Sequence, residues 1–477
     1  MTVDGSNDAV LDRMQATAGD VRRRVLLRGG TVLTMDPELG DFAPGDVLIV
    51  GSKIVEVGPD LSSAASDGQA IVVELDGAIV IPGMHDTHRH AWQGQLRRLL
   101  PDADVASYAK LIHALLAPLY RPEDMYAGNL ITALGAIESG TTCMMDFSHN
   151  ARTPEHSDAS IAALVDAGIR AVHASCAPLA GEMNSHWPAD LKRLREDRFA
   201  SDDQLLTLRL GVLSGAARQT ISAWSDDSAL LGERTLRFAR DLGIEISVDG
   251  VGGPLASEQL ELLGEAGVLG NDTTYIHCRD LTDGAWQAIA DSGGTVSLAP
   301  ASAAQFGQPK SVTPVQKVLD IGLRPSLSGD VETCLAADMF TLMRLALFVQ
   351  RTSAATGPHR VDAPVPLPLR DFLDFATVQG ARANGLLAKC GTLTPGKEAD
   401  VVIIRADSFS AMPLNNAVGT VVLGTDAKNV DSVLIAGQFR KWRGELVGPA
   451  IARVQRLVTE SRDRLISVSG YELDVLR

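Results

Sequence analysis

The sequence lacks paired cysteines, which argues against a disulfide-stabilised fold. None of its five cysteines forms a C-x-x-C pair, and most lie inside apolar runs. Free buried thiols are typical of such positions. We therefore interpret them as core residues: Cys143, Cys176, Cys278, Cys334 and Cys390.

Basic runs and long apolar segments are also missing. The chain has 43 Lys and Arg against 59 Asp and Glu, a net charge of −16, so nucleic acid is not expected as a partner. No segment reaches the roughly 18 consecutive apolar residues of a membrane span, and residues 1–24 carry no apolar signal region. We expect a cytoplasmic protein without a membrane partner, forming a homo-oligomer and acting on a small molecule.

What remains is ordinary globular composition, with 45% hydrophobic and 21% charged residues among 477. That length suits one large domain with an appendage, or two to three domains.

Short β-strand patterns occupy both ends of the chain. They alternate with turns between Arg24 and Val73, and a matching group returns near the other end. Its members are Ala399–Ile404, Gly419–Val422 and Ser432–Gln438. The two groups predict one β domain built from residues 24–76 and 386–448, with a polar tail over 1–23 and a C-terminal helix over 449–477.

Strand and helix patterns alternate between these ends, which predicts an α/β fold with a parallel sheet. The predicted strands are Ala78–Pro82, Thr142–Phe147, Ala171–Ser175, Leu208–Leu213, Glu245–Val248, Thr274–Cys278, Thr295–Ala299 and Arg324–Leu327. Several intervening helical patterns end at a glycine suited to a left-handed position: Gly168, Gly243, Gly267 and Gly322. Eight such strands predict a (β/α)8 TIM barrel over residues 77–385, with its site at the strand C-termini.

The first connection of this barrel, from His90 to Thr141, is long and rich in rings. It contains Trp92, Tyr108, His113, Tyr120 and Tyr126. Two interpretations stay open: the segment covers the mouth of the site, or it is a helical insertion that packs its own aromatic residues.

Histidines and carboxylates follow the predicted strands. His88 and His90 are two apart after an apolar run, so on an extended backbone their imidazoles share one face. The other strand ends carry Asp146, His149, His173, Asp249, His277, Asp330 and Glu332. Less specific interpretations are incidental loop histidines for the first pair, a core histidine for His173 and a helix N-cap for Asp330.

Imidazole and carboxylate ligands suit one divalent metal, zinc or ferrous iron. An open coordination position would hold a water molecule whose pKa is lowered toward neutrality, which makes a hydroxide nucleophile.

The chain resembles the amidohydrolase superfamily, in the branch of cytosine deaminase, guanine deaminase and chlorotriazine hydrolase. The resemblance rests on Pro-Gly-x-x-Asp-x-His-x-His at 82–90, on His277 and Asp330, and on the run Gly391-Thr392-Leu393-x-Pro395-Gly396-Lys397-x-Ala399-Asp400-Val401. It implies a mononuclear metal with His88, His90 and Asp330 as ligands. It also implies that His277 orients the substrate or the attacking water.

The chain departs from the family pattern on strand five. The family reads His-x-x-Glu there, whereas this chain reads Asp249-Gly250-Val251-Gly252. Asp249 is therefore a candidate replacement for the missing imidazole ligand. Strand seven also differs, with Pro300-Ala301-Ser302-Ala303 in place of Pro-x-Ser-Asn.

The leading hypothesis is a metal-dependent hydrolase, an aminohydrolase acting on a C–N or similar bond of a small N-heterocycle. The alternatives are a repurposed lyase, cyclase or isomerase, and a non-catalytic binding protein. The predicted metal ligands are His88, His90, Asp249 and Asp330. The predicted catalytic residues are His277, Asp330, His149 and Glu332. The predicted substrate contacts are Trp92, Gln95, His173 and Ser302.

Overall fold

The fold is described from a computed structural model over residues 5–180, 187–201, 203–216, 230–307, 312–334, 338–356 and 366–476. The strands are β1 (Arg24–Val32), β2 (Phe42–Val50), β3 (Lys53–Gly58), β4 (Ile71–Glu74), β5 (Ile79–Pro82), β6 (Met84–Arg89), β7 (Thr141–Ser148), β8 (Arg170–Ser175), β9 (Leu206–Leu213), β10 (Glu245–Asp249), β11 (Thr273–Ile276), β12 (Thr295–Leu298), β13 (Ser326–Leu327), β14 (Val401–Ile404), β15 (Val430–Ile435), β16 (Gln438–Trp442) and β17 (Glu445–Leu446).

Helices cover the parallel strands and extend to the C-terminal part of the chain. They are α1 (Gly5–Ala16), α2 (Val105–Tyr108), α3 (Pro122–Glu138), α4 (Pro154–Ala167), α5 (Ala189–Asp197), α6 (Glu233–Asp241), α7 (Gly253–Glu265), α8 (Asp283–Ser292), α9 (Pro300–Gln305), α10 (Val315–Asp320), α11 (Met339–Thr356), α12 (Leu369–Ala376), α13 (Val378–Ala383), α14 (Ala417–Gly419) and α15 (Ile451–Ser469). None of the helices in these described ranges is both long and apolar enough to cross a membrane.

The described strands form two sheets, as the sequence predicts. Strands β6 to β13 are parallel and neighbour one another in chain order, which confirms the TIM barrel. The second sheet has the order β17-β16-β15-β14-β5-β1-β2-β3, with β4 beside β1, so strands from both ends of the chain build it. Gly168, Gly243, Gly267 and Gly322 all have positive φ angles, between 63° and 81°, as expected of helix-ending glycines.

The barrel closes where its first and last strands end. Arg89 and Asp330 form a parallel bridge. The Asp330 amide donates to the His88 carbonyl at 2.8 Å, and the His90 amide donates to the Asp330 carbonyl at 2.9 Å. The backbone that closes the barrel therefore also carries predicted metal ligands.

The prediction for the first barrel strand is wrong. Residues 79–82 form β5, which pairs with β14 and β1 in the other sheet, and the first barrel strand is β6, which contains His88 itself. Gly83 separates the two strands, and a Cβ there would lie 1.9 Å from the Thr142 hydroxyl. A short buried apolar run has the same pattern in either sheet, so the sequence does not distinguish them. We propose Gly83 as the boundary between the two domains.

The predicted strand over Gly419–Val422 is also wrong. This segment is helical, because α14 continues into a helical turn over Thr420–Gly424. The Asn416 side chain caps it by accepting a hydrogen bond from the Gly419 amide at 2.6 Å. Val421 and Val422 pack into the barrel-side core. Capping and packing here outweigh the β preference of two valines.

Candidate active site

Five side chains from four strand ends meet at the C-terminal mouth of the barrel. We call them the ligand cluster: His88 on β6, His90 directly after β6, Asp249 from β10, His277 after β11, and Asp330 after β13. The Nε2 atoms of His88 and His90 lie 3.3 and 3.2 Å from Asp330 Oδ1. His277 Nε2 lies 3.1 Å from Asp249 Oδ1. Opposite sides of the barrel therefore share one centre.

Backbone hydrogen bonds hold two members of the cluster in the left-handed region. His277 has φ 75° and Asp330 has φ 59°. Such a conformation costs a non-glycine residue about 1–3 kcal/mol and persists where the surrounding structure enforces it. The His277 amide donates to Ser297 O at 2.9 Å on the next strand, and Asp330 is fixed by the barrel closure.

Both carboxylates of the cluster are buried and ionised. Burial alone would raise the pKa of Asp249, but the charges of His88 and His277 and a hydrogen bond from His277 lower it below its ordinary value. Burial likewise opposes ionisation of Asp330, yet the charge of His277 and the nearby imidazoles of His88 and His90 hold its pKa well below the ordinary range.

The donor set fits a divalent metal. Both ring nitrogens of His88 are buried without a hydrogen-bond partner among the described residues, although Nε2 faces two carboxylates. Two groups of three side chains, His88–His277–Asp330 and His88–His90–Asp249, each have ligand atoms within 4.8 Å of one another. A cation between them would satisfy His88 Nε2 and compensate the two negative charges.

His149 lies directly against the cluster. Its ring stacks on His90 at 4.1 Å between centroids and an interplanar angle of 8°. The Trp92 indole donates to His149 Nδ1 at 2.9 Å. An indole nitrogen only donates, so the neutral imidazole must carry its proton on Nε2. Burial, together with His90 and His113, keeps the pKa of His149 well below its ordinary value.

The predicted site residue Glu332 has a different environment. Its Oε1 accepts a hydrogen bond from Arg89 at 2.8 Å, and its Oε2 accepts one from Arg97. Burial raises the pKa of Glu332, but the two arginines lower it below its ordinary value. A proton-relay role would break both ion pairs, so this geometry does not support that assignment.

Three predicted substrate contacts make other interactions. Gln95 Nε2 donates to the Asp124 carbonyl at 3.1 Å and to Ser461 at 3.3 Å, which ties α3 to α15. Ser302 Oγ lies 3.5 Å from the Ala299 carbonyl within its own helix turn. His173 Nδ1 lies 3.0 Å from Asp146 Oδ2. Trp92, the fourth, acts through His149 and is fully buried.

His173 is on the outer face of the barrel wall. Val172 and Ala174, its neighbours on β8, pack in one cluster with Phe147, whose ring lies 5.1 Å from that of His88. Residues alternate faces along a strand, so His173 points toward the covering helices. The core-histidine interpretation therefore describes it better than substrate binding.

The backbone of strand five accounts for the glycine at 252. Gly252 and Arg279 form a parallel bridge, and a Cβ on Gly252 would lie 3.1 Å from the Arg279 carbonyl. The segment after β11 therefore closely approaches the position where the family pattern has glutamate. The charges of the site also act on the Arg279 side chain. Burial lowers the pKa of Arg279, and Asp330 and Asp249 oppose this decrease.

Three residues near the cluster were not among the predicted site residues, although the sequence placed His113 in the first connection and Asp86 in the family motif. The His113 ring lies 5.0 Å from that of His149, which places the first connection against the site. Gln93 donates to the Tyr108 hydroxyl at 2.6 Å. The Asp86 side chain accepts hydrogen bonds from Arg89 and from the Gly329 amide. The D-x-H-x-H spacing gave a signal for Asp86, whereas nothing in the pattern distinguished Gln93.

Known proteins resemble this chain over most of its length. A family model described as the Amidohydrolase family matches residues 254–440. The 5'-deoxyadenosine deaminase of Methanosarcina acetivorans is 26% identical over 427 residues, covering 87% of this chain and 92% of that protein. The 5-methylthioadenosine/S-adenosylhomocysteine deaminase of Moorella thermoacetica is 25% identical, covering 89% and 95%. These matches show similarity to the amidohydrolase superfamily along most of the chain.

Solved amidohydrolase-type structures share the whole fold. A zinc-bound adenosine deaminase from Xanthomonas campestris superposes with a TM-score of 0.78 at 20% identity, covering 94% of this chain and 99% of that one. Atrazine chlorohydrolase from Arthrobacter aurescens, complexed with zinc, gives a TM-score of 0.75 at 20% identity, covering 92% and 100%. At this identity the likeness establishes the fold alone.

Proposed function

We propose that this protein is a metal-dependent hydrolase that removes an amino or similar leaving group from a small N-heterocyclic molecule. The observation that carries the proposal is the convergence of three imidazoles and two ionised carboxylates at the mouth of the barrel. The deaminase relatives span nearly the whole chain and favour an adenine-like ring as the substrate class.

Four cluster residues would hold the metal: His88, His90, Asp249 and Asp330. When bound there, a divalent ion, zinc or ferrous iron, supplies Lewis acidity and lowers the pKa of water toward neutrality. Asp330 accepts a proton from the attacking water. His277, whose Nε2 lies 3.9 Å from Asp330 Oδ2, orients the heterocycle for attack.

His149 serves as a hydrogen-bond donor in this scheme. Trp92 occupies its Nδ1, so Nε2 carries the proton and can donate to the substrate. Position 252 is glycine, so it has no side chain to carry a proton. Asp330 therefore also passes the proton that it takes from the water to the leaving group. Glu332 supports the site through Arg89 and Arg97.

Metal analysis combined with ammonia release tests this function. The substrates are 5'-deoxyadenosine, 5-methylthioadenosine and an aminotriazine, and the variant is Asp330→Asn. Asp46→Asn is the control, because Asp46 is a buried carboxylate in the other sheet that accepts amide hydrogen bonds. We expect about one metal equivalent and turnover in the wild type and in the control, with both lost in Asp330→Asn.

The second candidate is a lyase, cyclase or isomerase on the same scaffold. It is favoured by the close pair of Asp249 Oδ1 and His277 Nε2, at 3.1 Å, together with Gly252 in place of the family glutamate. A carboxylate beside an imidazole suits proton transfer within a substrate. Purified protein that holds no metal and releases no ammonia from any of these compounds would contradict the hydrolase and favour this candidate.

Assembly and location follow from composition and stay proposals. We propose a cytoplasmic homo-oligomer that acts on a small molecule. Light scattering coupled to size-exclusion chromatography measures the first property, and a monomer would contradict it.

A further inference from the structure

Arg152 is a buried arginine without an acidic partner among the described residues. Arg152 is only 8% exposed, yet it forms no ion pair with any of the described residues. Other buried arginines of the barrel are compensated, since Arg89 pairs with Asp86 and Glu332, and Arg170 pairs with Asp400. An uncompensated buried charge is costly, which makes this exception informative.

Neutral acceptors fix the orientation of this guanidinium. Its Nε donates to the Asn150 side chain at 3.2 Å and to the Ala117 carbonyl at 3.4 Å, and Nη2 donates to the Ala180 carbonyl at 2.7 Å. Nη1 donates to none of the described residues and is not one of the fully buried unpartnered atoms, so it borders accessible space. One face of the cation is thus held in place while another is open.

The position is at the active-site face of the barrel. Arg152 follows β7, Ala117 belongs to the connection after β6, and Ala180 follows β8. Connections after the strand C-termini build the substrate pocket in this fold. A chain of contacts leads to the centre: Arg152 acts electrostatically on His113, His113 contacts His149, and His149 stacks on His90.

The charge is present at neutral pH. Burial lowers the pKa of Arg152 to about 10, which leaves the guanidinium protonated. A side chain that only connects loop carbonyls needs hydrogen-bond donors but no charge. A neutral amide could supply some of these donors. An anion placed at Nη1 would instead use both the charge and the fixed orientation.

We propose that Arg152 is an anion-binding residue of the substrate pocket, and that the natural substrate is an N-heterocycle carrying a carboxylate or similar oxyanion. The inference rests on the proposed function for its choice of heterocycle. The carboxylate accepts hydrogen bonds from the guanidinium while the ring reaches the ligand cluster. Arg152 thereby selects among heterocycles by their charge.

Binding of a matched pair of probes tests the inference. Nicotinate and nicotinamide have the same ring and similar size, and differ in the charge of one group. Isothermal titration of the metal-loaded wild type should show that nicotinate binds about tenfold or more tightly than nicotinamide, as expected for a charge-assisted hydrogen bond. Arg152→Met should lose most of this preference while its nicotinamide affinity stays within about twofold.

Arg440→Met is the matched control. Arg440 lies on β16 in the other sheet, and burial likewise lowers its pKa. This variant should keep the preference for nicotinate. A preference caused by the carboxylate touching the metal would survive in Arg152→Met, and that result would overturn the inference.

Arg152→Gln provides a second variant that retains donors for the loop carbonyls. It should also lose the preference, and it replaces Arg152→Met if that protein does not fold. Equal affinity for the two probes in the wild type, or no measurable nicotinate binding, overturns the inference. Retained preference without ammonia release from any heterocycle would contradict the proposed hydrolase while supporting the anion site.

Discussion

As a proposed ligand, Asp249 would change the charge of the metal centre. A third imidazole at this position would leave Asp330 as the one anionic ligand of the cluster, whereas Asp249 adds a second carboxylate 3.6 Å from His88 Nε2. Two carboxylates neutralise a divalent cation in a buried pocket. Oxygen ligands also suit harder ions than imidazole does. We propose that Asp249, at the position of the strand-five histidine of the family pattern, adjusts metal preference and preserves the site.

Asp249→Asn should weaken metal binding at least about tenfold, because the loss of a supporting ligand interaction alone costs 10–100-fold in such sites. Asp249→His should retain metal but shift the preference toward zinc over ferrous iron. Competition with a fluorescent chelator measures both affinities, and Asp46→Asn is the control. Unchanged affinity in both variants would show that Asp249 is not a ligand.

Residue-level features were predictable where they followed strand ends. His88, His90, His277 and Asp330 came from that rule and from the family pattern, and the structure brings all four together. The outer position of His173 was also predictable, because alternation along β8 puts Val172 and Ala174 on the inner face. The role of Trp92 was not, since it acts through a hydrogen bond to a residue 57 positions away.

At the scale of elements, the barrel closes at the shortest of its described strands. The last strand, β13, spans only Ser326–Leu327. The seam, by which we mean the junction of β13 and β6, therefore depends on the residues that follow β13. Arg89 crosses this seam: its Nε donates to Asp86 Oδ2 at 2.7 Å, and its Nη1 donates to Glu332 Oε1 at 2.8 Å. Asp86 in turn accepts the Gly329 amide at 3.0 Å. These charges position the backbone that carries Asp330.

Arg89→Met should destabilise the protein by about 3–5 kcal/mol, because it leaves the buried Asp86 carboxylate without its cation and leaves Glu332 with Arg97 alone. It should also weaken metal binding by loosening Asp330. Arg28→Met is the control, since the Arg28–Glu74 pair is exposed and such pairs contribute less than about 1 kcal/mol. Urea denaturation gives the stabilities. Equal losses in the two variants would refute the seam as a stabilising element.

The type of an element was more predictable from the sequence than the sheet to which it belongs. Seven of the predicted barrel strands agree with β7 to β13 to within two residues at each end. The first failed because β5 and β6 are separated by one glycine, and sheet membership depends on partners distant in sequence. Residues 419–422 failed because their two valines are packed from a helix. Hydrophobic periodicity indicates which residues are buried, but it does not identify the element against which they pack.

At the scale of the molecule, one buried ion pair joins the two sheets. Arg170 begins the third barrel strand, and its guanidinium donates to both oxygens of Asp400, at 2.7 and 2.9 Å. Asp400 also accepts the Ala436 amide at 2.8 Å, and its carbonyl accepts the Gly83 amide at 2.9 Å. The C-terminal motif ending in Ala399-Asp400 is therefore an inter-sheet connection.

Asp400→Asn should cost about 3–5 kcal/mol near neutral pH, since it leaves the buried Arg170 with only the more distant Glu398, 3.9 Å away, as an anion. Burial raises the pKa of Asp400, but Arg170 lowers it below its ordinary value. A carboxyl group with a depressed native pKa stabilises the fold above the unfolded pKa of about 3.9, and this contribution disappears as the pH falls through the native pKa. The wild type should therefore lose more stability than Asp400→Asn between about pH 5 and pH 3.

Urea midpoints measured across this range test the prediction, with Asp407→Asn as the control. Asp407 pairs with Arg405 on the surface, so its replacement should change stability by less than about 1 kcal/mol. A double variant, Arg170→Met with Asp400→Leu, should recover most of the loss and flatten the acid dependence, because it removes both buried charges together. If the double variant were as unstable as Asp400→Asn at neutral pH, packing between the sheets, and not their ion pair, would account for the connection.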